Sequence, residues 1–489
     1  MQTGANILST SRARAAAAVL TLLSLAGCPD REVAGIVPHP SPQTETVLPV
    51  GQNRDVDILF VIDNSGSMGD EQASLVNNFK KFMDKLSAIE GGLPNVHIGV
   101  VSSDVGAGGF GWGGACAGDG DDGLLQHQTS SACRPLRGAF IEDVADKNGG
   151  RQRNYDDSLD QTFKCIAELG TQGCGFEHHM ESMKRALDGS RGENANFLRP
   201  DAFLAVVFIA DEDDCSAKSG ALFDDNRALD NGASELGPVG LRCTQWAVSC
   251  DGAALPRQSG TYSSCEPRQD SPYFEDPHAY AEFLHSLKPG HPERVLVAGI
   301  FGPDTPFAIG DGDPDHDAST TDVNKLHILP SCGTDTQSST MAGDGAVPPV
   351  RFRALFDEFG DSATRASICD NDLSAALEKI SLALVSRLTL RCLPDNADLS
   401  DLHPELVGVQ PDCAVREEED GRETPLGRCR MLDQPGAPTP APDNALPCWY
   451  IGQDTEHCSG DGQSGATIEV ARDSTPSVNA TLVVDCVGI

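Results

Sequence analysis

Basic residues are scarce in this chain of 489 residues. Lys and Arg number 36 against 73 Asp and Glu, which gives a formal net charge of −37 at pH 7. Because binding to nucleic-acid phosphates needs clustered Lys and Arg, this balance argues against a nucleic-acid partner. An acidic surface favours solubility and cation binding. The acidity therefore serves either to keep an exported protein soluble or also to attract cations.

Familiar catalytic motifs are missing as well. The sequence has no Gly-x-Ser-x-Gly elbow, no His-Glu-x-x-His motif and no phosphate-binding glycine loop. No two cysteines are spaced as Cys-x-x-Cys, which disfavours zinc ribbons and thioredoxin-like sites. Beyond the N-terminus, no segment is long and apolar enough to cross a membrane. These absences favour a protein that is not an enzyme.

The N-terminus resembles the signal peptide of a bacterial lipoprotein. Arg12 and Arg14 precede an apolar run at 15–26, which is too short to span a bilayer. The run ends in Leu-Ala-Gly-Cys, which resembles a lipobox with Cys28 as the lipidated residue. The alternative is an ordinary secretory signal with an accidental cysteine. The lipobox implies a protein anchored by acyl chains to the inner or outer membrane, facing the periplasm or the cell surface.

The cysteine count agrees with export. The chain has 17 cysteines, and lipidation of Cys28 leaves 16, an even number. An even set suits disulfides in an oxidising compartment, although the sequence does not assign the pairs.

Composition divides the chain into segments. Residues 28–54 are rich in Pro and Thr and have no helical or strand period, which predicts a flexible tether. The C-terminal part combines cysteines with short β-like runs. The predicted segments are a signal peptide (1–27), the tether (28–54), an α/β domain (55–390) with insertions at 104–154 and 215–276, and a disulfide-rich β-type module (391–489).

Buried strands alternate with amphipathic helices in the α/β domain. An apolar strand at 56–62 precedes a helix whose apolar residues recur every three or four positions over 75–89, and a second strand follows at 96–102. Further apolar strands lie at 202–210 and 294–301. Because right-handed crossovers make such strands parallel, we predict a doubly wound, mostly parallel sheet with helices on both faces. The two insertions follow strand ends on one edge, where they either frame a site or are tolerated decoration.

A divalent-metal site is predicted at the end of the first strand. Asp63, Ser65 and Ser67 lie in a tight turn at the carboxyl end of a parallel strand, where open α/β sheets place ligands. One carboxylate and two hydroxyls form a hard-oxygen set suited to Mg²⁺ or Ca²⁺, with Mn²⁺ as a further candidate. The simpler alternative is a polar turn that caps the following helix.

The segment Phe60–Met68 resembles the metal-ion-dependent adhesion site of von Willebrand factor type A (VWA) domains, and the resemblance extends over about 55–390. It implies a metal-binding fold and carries a further ligand over to Asp211, at the end of the strand at 202–210. Asp213 is a weaker candidate that could substitute or hold a second ion. The family also supplies a Thr before a central helix, where this sequence offers only Glu177. A Glu ligand would hold metal more tightly but would weaken its attraction for an external carboxylate.

A second acidic loop resembles a calcium-binding loop with carboxylates at alternate positions. Its candidate ligands are Asp311, Asp313, Asp315, Asp317 and Asp322. A solvated acidic loop is the alternative reading. His178 and His179 open a predicted helix, and we expect both to be exposed.

Three functions follow from this reading. The first is a membrane-anchored lipoprotein that binds an acidic group on a protein or carbohydrate partner through its metal. The second is an envelope scaffold in which the ion only stabilises the fold. The third is an extracytoplasmic hydrolase with a metal-activated water, for which the sequence shows no general base.

Overall fold

A computed structural model describes most of the chain. The described residues are 43–49, 55–89, 92–110, 114–127, 133–146, 150–224, 235–310, 326–333, 345–370, 372–389, 392–394, 396–419, 422–434, 438–453, 463–473 and 481–487. Cys28 and the predicted calcium loop at 311–322 lie outside these residues.

The strands are β1 (Gln43–Pro49), β2 (Asp55–Ile62), β3 (Asn95–Ser102), β4 (Ile141–Ala145), β5 (Arg151–Arg153), β6 (Phe203–Ile209), β7 (Val248–Cys250), β8 (Ala253–Ala254), β9 (Gly260–Tyr262), β10 (Cys265–Pro267), β11 (Val295–Phe301), β12 (Phe307–Gly310), β13 (His327–Ile328), β14 (Cys332–Gly333), β15 (Gly345–Ala346), β16 (Ala363–Ser367), β17 (Cys392–Pro394), β18 (Cys413–Glu419), β19 (Arg422–Arg428), β20 (Met431–Leu432), β21 (Thr439–Pro440), β22 (Cys448–Gln453), β23 (Gln463–Ala471) and β24 (Thr481–Val487). The α-helices are α1 (Gly69–Ser87), α2 (Leu159–Ala167), α3 (His179–Leu187), α4 (Arg242–Ala247), α5 (Pro277–Ser286), α6 (Val350–Asp357) and α7 (Ser374–Thr389).

The central sheet has the strand order β16-β11-β6-β2-β3-β4-β5. Strands β16, β11, β6, β2 and β3 are parallel, and β4 and β5 extend the sheet as an antiparallel edge. The order runs outward in both directions from β2, so β2 and β6 meet where the winding of the chain reverses. This arrangement confirms the predicted doubly wound, mostly parallel fold and places the ends of β2 and β6 side by side.

Two apolar layers cover the sheet. Because side chains alternate along a strand, Phe60 faces one layer and its neighbours Leu59 and Val61 face the other. Helices α1, α2 and α7 pack on the first layer, and α3, α5 and α6 pack on the second. Both faces of the sheet are thus covered by helices, as the continuous apolar strands predicted. Among the described helices, none combines the length and apolar character needed to cross a bilayer.

A third apolar cluster, which we call the cap, is built mainly from the two predicted insertions. Ala107 and Cys116 come from 104–154, and residues such as Phe223 come from 215–276. The cap also includes Phe176, from the loop that precedes α3. The predicted framing of the strand ends therefore has a physical basis, because both insertions pack on a loop at that edge.

The C-terminal residues form a separate, mostly antiparallel sheet with its own apolar cluster, in which β19 and β22 are the parallel pair. Strand β1 lies at the edge of this sheet, where Gln43 pairs with Val487 and Pro49 with Thr481. The prediction of a structureless tether over 28–54 missed this strand. Cysteines of the described residues form the disulfides 116–174, 133–165, 215–243, 250–265, 332–369, 413–486 and 429–448, in line with the predicted use of cysteine.

A buried ion pair fastens the amino edge of the sheet. The fully buried Asp57 carboxylate accepts hydrogen bonds from the Arg199 backbone N–H and from Arg199 Nε, both at 2.7 Å. Burial raises the pKa of Asp57 to about 6 against the opposing effect of the guanidinium. The carboxylate therefore depends on Arg199 to remain ionised at neutral pH.

We expect Asp57→Ala to lower the free energy of unfolding by about 3–5 kcal/mol, because it leaves the Arg199 guanidinium without its buried partner. Denaturant unfolding monitored by circular dichroism measures the change. The matched control is Asp84→Ala, which removes an exposed carboxylate 2.7 Å from Lys80 Nζ and should leave stability unchanged. Equal effects of the two substitutions would contradict this assignment.

Candidate metal site

Asp63 is held in place at the end of β2. Its backbone N–H donates to the Ile209 carbonyl at 3.0 Å, which continues the ladder between β2 and β6. The fully buried carboxylate accepts from the Ser65 backbone N–H at 2.7 Å and, at 3.4 Å, from Ser103 Oγ. The turn is therefore closed by the Asp63 side chain itself. It does not cap the following helix, because α1 has Met68 at its N-cap and no side-chain cap.

The two serines and Asp211 complete the predicted set. Ser65 Oγ and Ser67 Oγ lie 3.2 Å apart, and Ser67 also hydrogen-bonds the Asp211 carboxylate. Asp211 is 5% exposed, and its Oδ1 atom has no hydrogen-bond partner. Burial raises the pKa of Asp211 well above its usual range, and the nearby Asp63 carboxylate adds to the effect. The structure thus gathers the oxygen atoms that the sequence predicted from two separate strand ends.

Glu177 joins this group together with a residue that the sequence reasoning missed, Glu212. Glu177 is 3% exposed, and its carboxyl group shares a hydrogen bond with that of Glu212. Burial raises the pKa of Glu177 well above normal, and the charges of Glu212 and Asp63 raise it further. Burial likewise raises the pKa of Glu212. The one sequence indication for Glu212 was its position directly after Asp211 at the strand end.

The two histidines at the start of α3 are buried, so the prediction of exposure was wrong. His178 is 2% exposed and His179 is fully buried. His179 Nε2 lies 3.2 Å from Asp63 Oδ2, whereas the His178 ring packs edge-on against Phe223. The reason is that α3 begins directly against the strand ends, where its first turn is covered by the cap.

Close packing leaves no room for a side chain at Gly173, the first residue of the segment 173–177 that was predicted to offer Glu177 in place of a Thr. A Cβ atom there would lie 2.1 Å from Asn64 Oδ1, and the Gly173 N–H donates to the Asn64 carbonyl at 2.8 Å. The Gln72 carboxamide joins the same two loops by donating to the carbonyls of Asp63 and Gly170 at 2.8 and 3.0 Å. Glu177 is the acidic side chain that this loop brings close to Asp63, and the Thr171 side chain of the same loop lies near Gly69.

Asp213 has a different role from the one considered in the sequence. Its two carboxylate oxygens accept from the Arg351 backbone N–H at 3.1 and 3.0 Å, and one also accepts from the Phe352 N–H at 3.3 Å. Asp213 thus satisfies backbone donors in the first turn of α6. The neighbouring Asp214 carboxylate is paired with the buried Arg351 guanidinium at 3.0 Å. Both residues fasten α6 to the strand end that carries Asp211.

The donor set fits a hard divalent cation. Asp63, Glu177, Asp211 and Glu212 bring four carboxyl groups close together, and carboxylate and hydroxyl oxygens are the ligands that Ca²⁺ and Mg²⁺ take. Within the described residues, no group of three or more His, Cys, Asp or Glu side chains has the geometry to hold an ion. A cation would therefore also need the hydroxyl oxygens of Ser65 and Ser67.

Comparison with known proteins gives structural similarity at low identity. No family model and no curated protein matches the chain. Its structure is similar to a von Willebrand factor type A protein from Catenulispora acidiphila (11% identity, TM-score 0.26, covering 91% of this chain and 65% of that one). It is also similar to the pilus adhesin RrgA from Streptococcus pneumoniae (11% identity, TM-score 0.26, covering 91% and 58%). A third is the von Willebrand factor domain of the type V pili tip protein Mfa5 from Porphyromonas gingivalis (13% identity, TM-score 0.28, covering 72% and 99%).

The chain thus spans less than two thirds of the length of the first two of these proteins. At these scores, the fold assignment rests on the strand order and connections of the chain itself.

We expect Asp211→Asn to raise the melting temperature of the metal-free protein at pH 7.5 by about 2 °C or more, because it removes one of several clustered buried charges. In excess Ca²⁺ or Mg²⁺ the wild type should become the more stable of the two, since the substitution removes a ligand. Differential scanning calorimetry of the two proteins, in EDTA and in each metal, measures which of them has the higher melting temperature.

The matched control for this prediction is Asp213→Ala, two residues along the same loop. It removes the acceptor for the first turn of α6, so it should lower the melting temperature equally with and without metal. A wild type that melts at the same temperature in EDTA and in metal would contradict the assignment of Asp211.

Proposed function

We propose that this chain is an extracytoplasmic binding protein whose α/β domain holds one divalent cation and uses it to bind an acidic group on a protein or carbohydrate partner. The observation that carries the proposal is Asp211 Oδ1, a buried acceptor without a hydrogen-bond partner, in a group with the Ser65 and Ser67 hydroxyls. Such an atom is costly to bury unless something satisfies it. A cation ligated by Asp63, Ser65, Ser67 and Asp211 would do so.

The location of the site suits a ligand from outside. It lies at the carboxyl ends of β2 and β6, where doubly wound sheets bind their ligands. Gly66 and Gly69, at the tip of the turn, are exposed, and Ser67 is half-buried. A partner could approach the ion along this turn. Ca²⁺ or Mg²⁺ is the expected ion, and Mn²⁺ would also be accepted by an oxygen site.

A structural ion is the second candidate, and Glu177 with Glu212 is the observation that favours it. If either of these carboxylates ligates the cation together with Asp63 and Asp211, the negative charge of the ligands exceeds the two positive charges of the ion. The ion then has little attraction left for an external carboxylate and mainly joins the loops around it. In that case the protein is an envelope scaffold stabilised by metal, because an ion that binds only the folded state adds to its stability.

Catalysis is the least supported of the three functions. His179, which contacts Asp63, is fully buried, and Nε2 is its contact atom. A general base must reach a proton on substrate or water within hydrogen-bond distance. We therefore propose a protein without enzymatic activity, and turnover of ester, phosphate or peptide substrates in the presence of metal would contradict this.

Export and anchoring complete the proposal. Disulfides such as those of the described residues persist in oxidising compartments, which supports an extracytoplasmic location. We propose that Cys28 carries the lipid that attaches the protein to the inner or outer membrane of the cell envelope. A Cys28→Ala variant should be released from the membrane fraction, which immunoblotting of fractionated cells would show.

The binding function is tested with immobilised polyglutamate and polygalacturonate as acidic protein and glycan probes. We expect retention of the purified protein in Ca²⁺ or Mg²⁺, and loss of retention both in EDTA and in Ser65→Ala, which lacks a hydroxyl ligand. Ser87→Ala, at the other end of α1, is the control and should bind like the wild type. Retention that is unchanged both by EDTA and by the Ser65→Ala substitution would contradict the proposal.

The same protein samples separate adhesion from a structural ion. Calorimetric titration measures metal binding directly, and melting curves measure stabilisation of about 2.7 kcal/mol at a metal concentration of 100 times Kd. Metal binding with strong stabilisation but no metal-dependent retention would favour the scaffold. Glu177→Gln should then weaken metal binding and restore some attraction for the acidic probes.

A further inference from the structure

Two disulfides attach the candidate ligand loops to the cap. The loop that carries Glu177 contains Cys174, which is bonded to Cys116 in the first insertion. The loop that carries Asp211 continues to Cys215, which is bonded to Cys243 in the second insertion. Cys116, Cys174 and Cys215 are all buried. Each loop therefore has a covalent link to a different part of the cap.

Hydrogen bonds connect these loops with each other and with the sheet. The Cys215 backbone N–H donates to the Glu177 carbonyl at 2.7 Å. The next residue, His178, donates its backbone N–H to the Ser103 carbonyl at 2.8 Å, just beyond the end of β3. The Glu177 backbone is thus fixed to the loop of Cys215, and the next residue is fixed to the end of β3. Glu177 lies between the two disulfides.

Side-chain packing joins the two insertions around the same point. The Phe223 ring lies 4.3 Å from the Phe176 ring and 5.1 Å from the His178 ring, so it contacts both neighbours of Glu177. Gly220, from the same insertion, packs closely against the Ala107 carbonyl. A Cβ atom at residue 220 would lie 2.9 Å from the carbonyl oxygen. The two insertions are therefore packed against each other as well as against the loop.

We propose that the disulfides Cys116–Cys174 and Cys215–Cys243 are positioning elements of the metal site, which hold Glu177 and Asp211 close to Asp63 before an ion is bound. This inference rests on the proposed metal binding and extends it, because it assigns the two insertions a role at that site. Their function is to hold the four carboxyl groups of the site close together in the metal-free protein.

Cross-linked loops preorganise the site for metal binding. Carboxylates at short distance repel each other, so loops without cross-links would separate whenever the ion leaves. Metal binding would then have to supply the free energy that brings the loops back, and affinity would fall. With the loops already fixed to the cap, that cost is met during folding and disulfide formation. Supporting residues around metal ligands typically contribute 10–100-fold in affinity.

The test compares two disulfides that close loops of similar length. Cys116→Ser/Cys174→Ser opens a loop of 58 residues, and Cys413→Ser/Cys486→Ser, in the C-terminal unit, opens one of 73. Unfolded-state entropy depends weakly on loop length, so both variants should lose a similar amount of stability. Calorimetric titration of each oxidised, full-length variant with Ca²⁺ and with Mg²⁺ measures the dissociation constant.

We expect the dissociation constant to rise about 10–100-fold in Cys116→Ser/Cys174→Ser and to stay at the wild-type value in the control variant. Equal affinities in wild type and both variants would overturn the inference while leaving the proposed function intact. Absence of metal binding by the wild type itself would instead contradict the proposed function. These two failures are therefore distinguishable in one experiment.

A milder variant covers the case in which loss of the disulfide prevents folding. Phe223→Leu keeps an apolar side chain but reduces the contact with Phe176 and His178. We expect it to fold, as judged by circular dichroism, and to bind metal more weakly than the wild type. Phe82→Leu, in the apolar layer beneath α1, is the matched control and should lose stability without losing affinity. Unchanged affinity in Phe223→Leu would contradict the inference.

Discussion

Electrostatic repulsion among buried carboxyl groups is the constraint on which this structure depends. The meeting point of β2 and β6 brings Asp63 and Asp211 together, and the loop before α3 adds Glu177. Each group is removed from water, and burial is the largest cause of the raised pKa values of Glu177 and Asp211. A fold can tolerate such a group only with fixed loops, shared protons or a bound cation. We propose that the disulfides provide the first of these and that an ion provides the last.

Buried carboxylates at the two ends of the sheet differ in their partners. At the amino edge, Asp57 is buried but paired with the Arg199 guanidinium. Near the carboxyl edge, Asp214 is paired in the same way with Arg351. Asp211, only three residues earlier, has a carboxylate oxygen without such a partner. The chain therefore neutralises two buried carboxylates with arginine, and Asp211 is the buried carboxylate for which we propose a cation instead.

Much of the fold could be predicted because its central strands are continuous apolar runs. Strands β2, β3, β6 and β11 lie where the sequence indicated, as does helix α1 with its three- and four-residue apolar period. Strands β4 and β16 were missed because they lie near or at the edges of the sheet, are only five residues long, and contain polar residues that interrupt any apolar run. Strand β1 pairs with a segment at the opposite end of the chain, and no local pattern indicates such a partner.

The candidate site was predictable to the extent that its ligands follow strand ends. Asp63 and Asp211 could be placed together because parallel strands end at the same edge. Whether a side chain near such an end faces the site depends on the turn, so Glu212 was missed and Asp213 was misplaced. The histidines were predicted wrongly for a similar reason. Adjacent polar residues at the start of a helix are expected to be exposed, and the local sequence does not show that the cap covers His178.

We propose that a cation occupies the space between the ends of β2 and β6. A crystal structure of the Ca²⁺-loaded protein tests it most directly, with anomalous scattering from a Mn²⁺-exchanged crystal to identify the ion. We predict one strong anomalous peak, and oxygen atoms of Asp63, Ser65, Ser67 and Asp211 around the Ca²⁺, with directly ligating atoms at about 2.3–2.6 Å. A crystal grown in saturating metal that shows no peak at this position, with Asp211 Oδ1 hydrogen-bonded to water instead, would contradict the account.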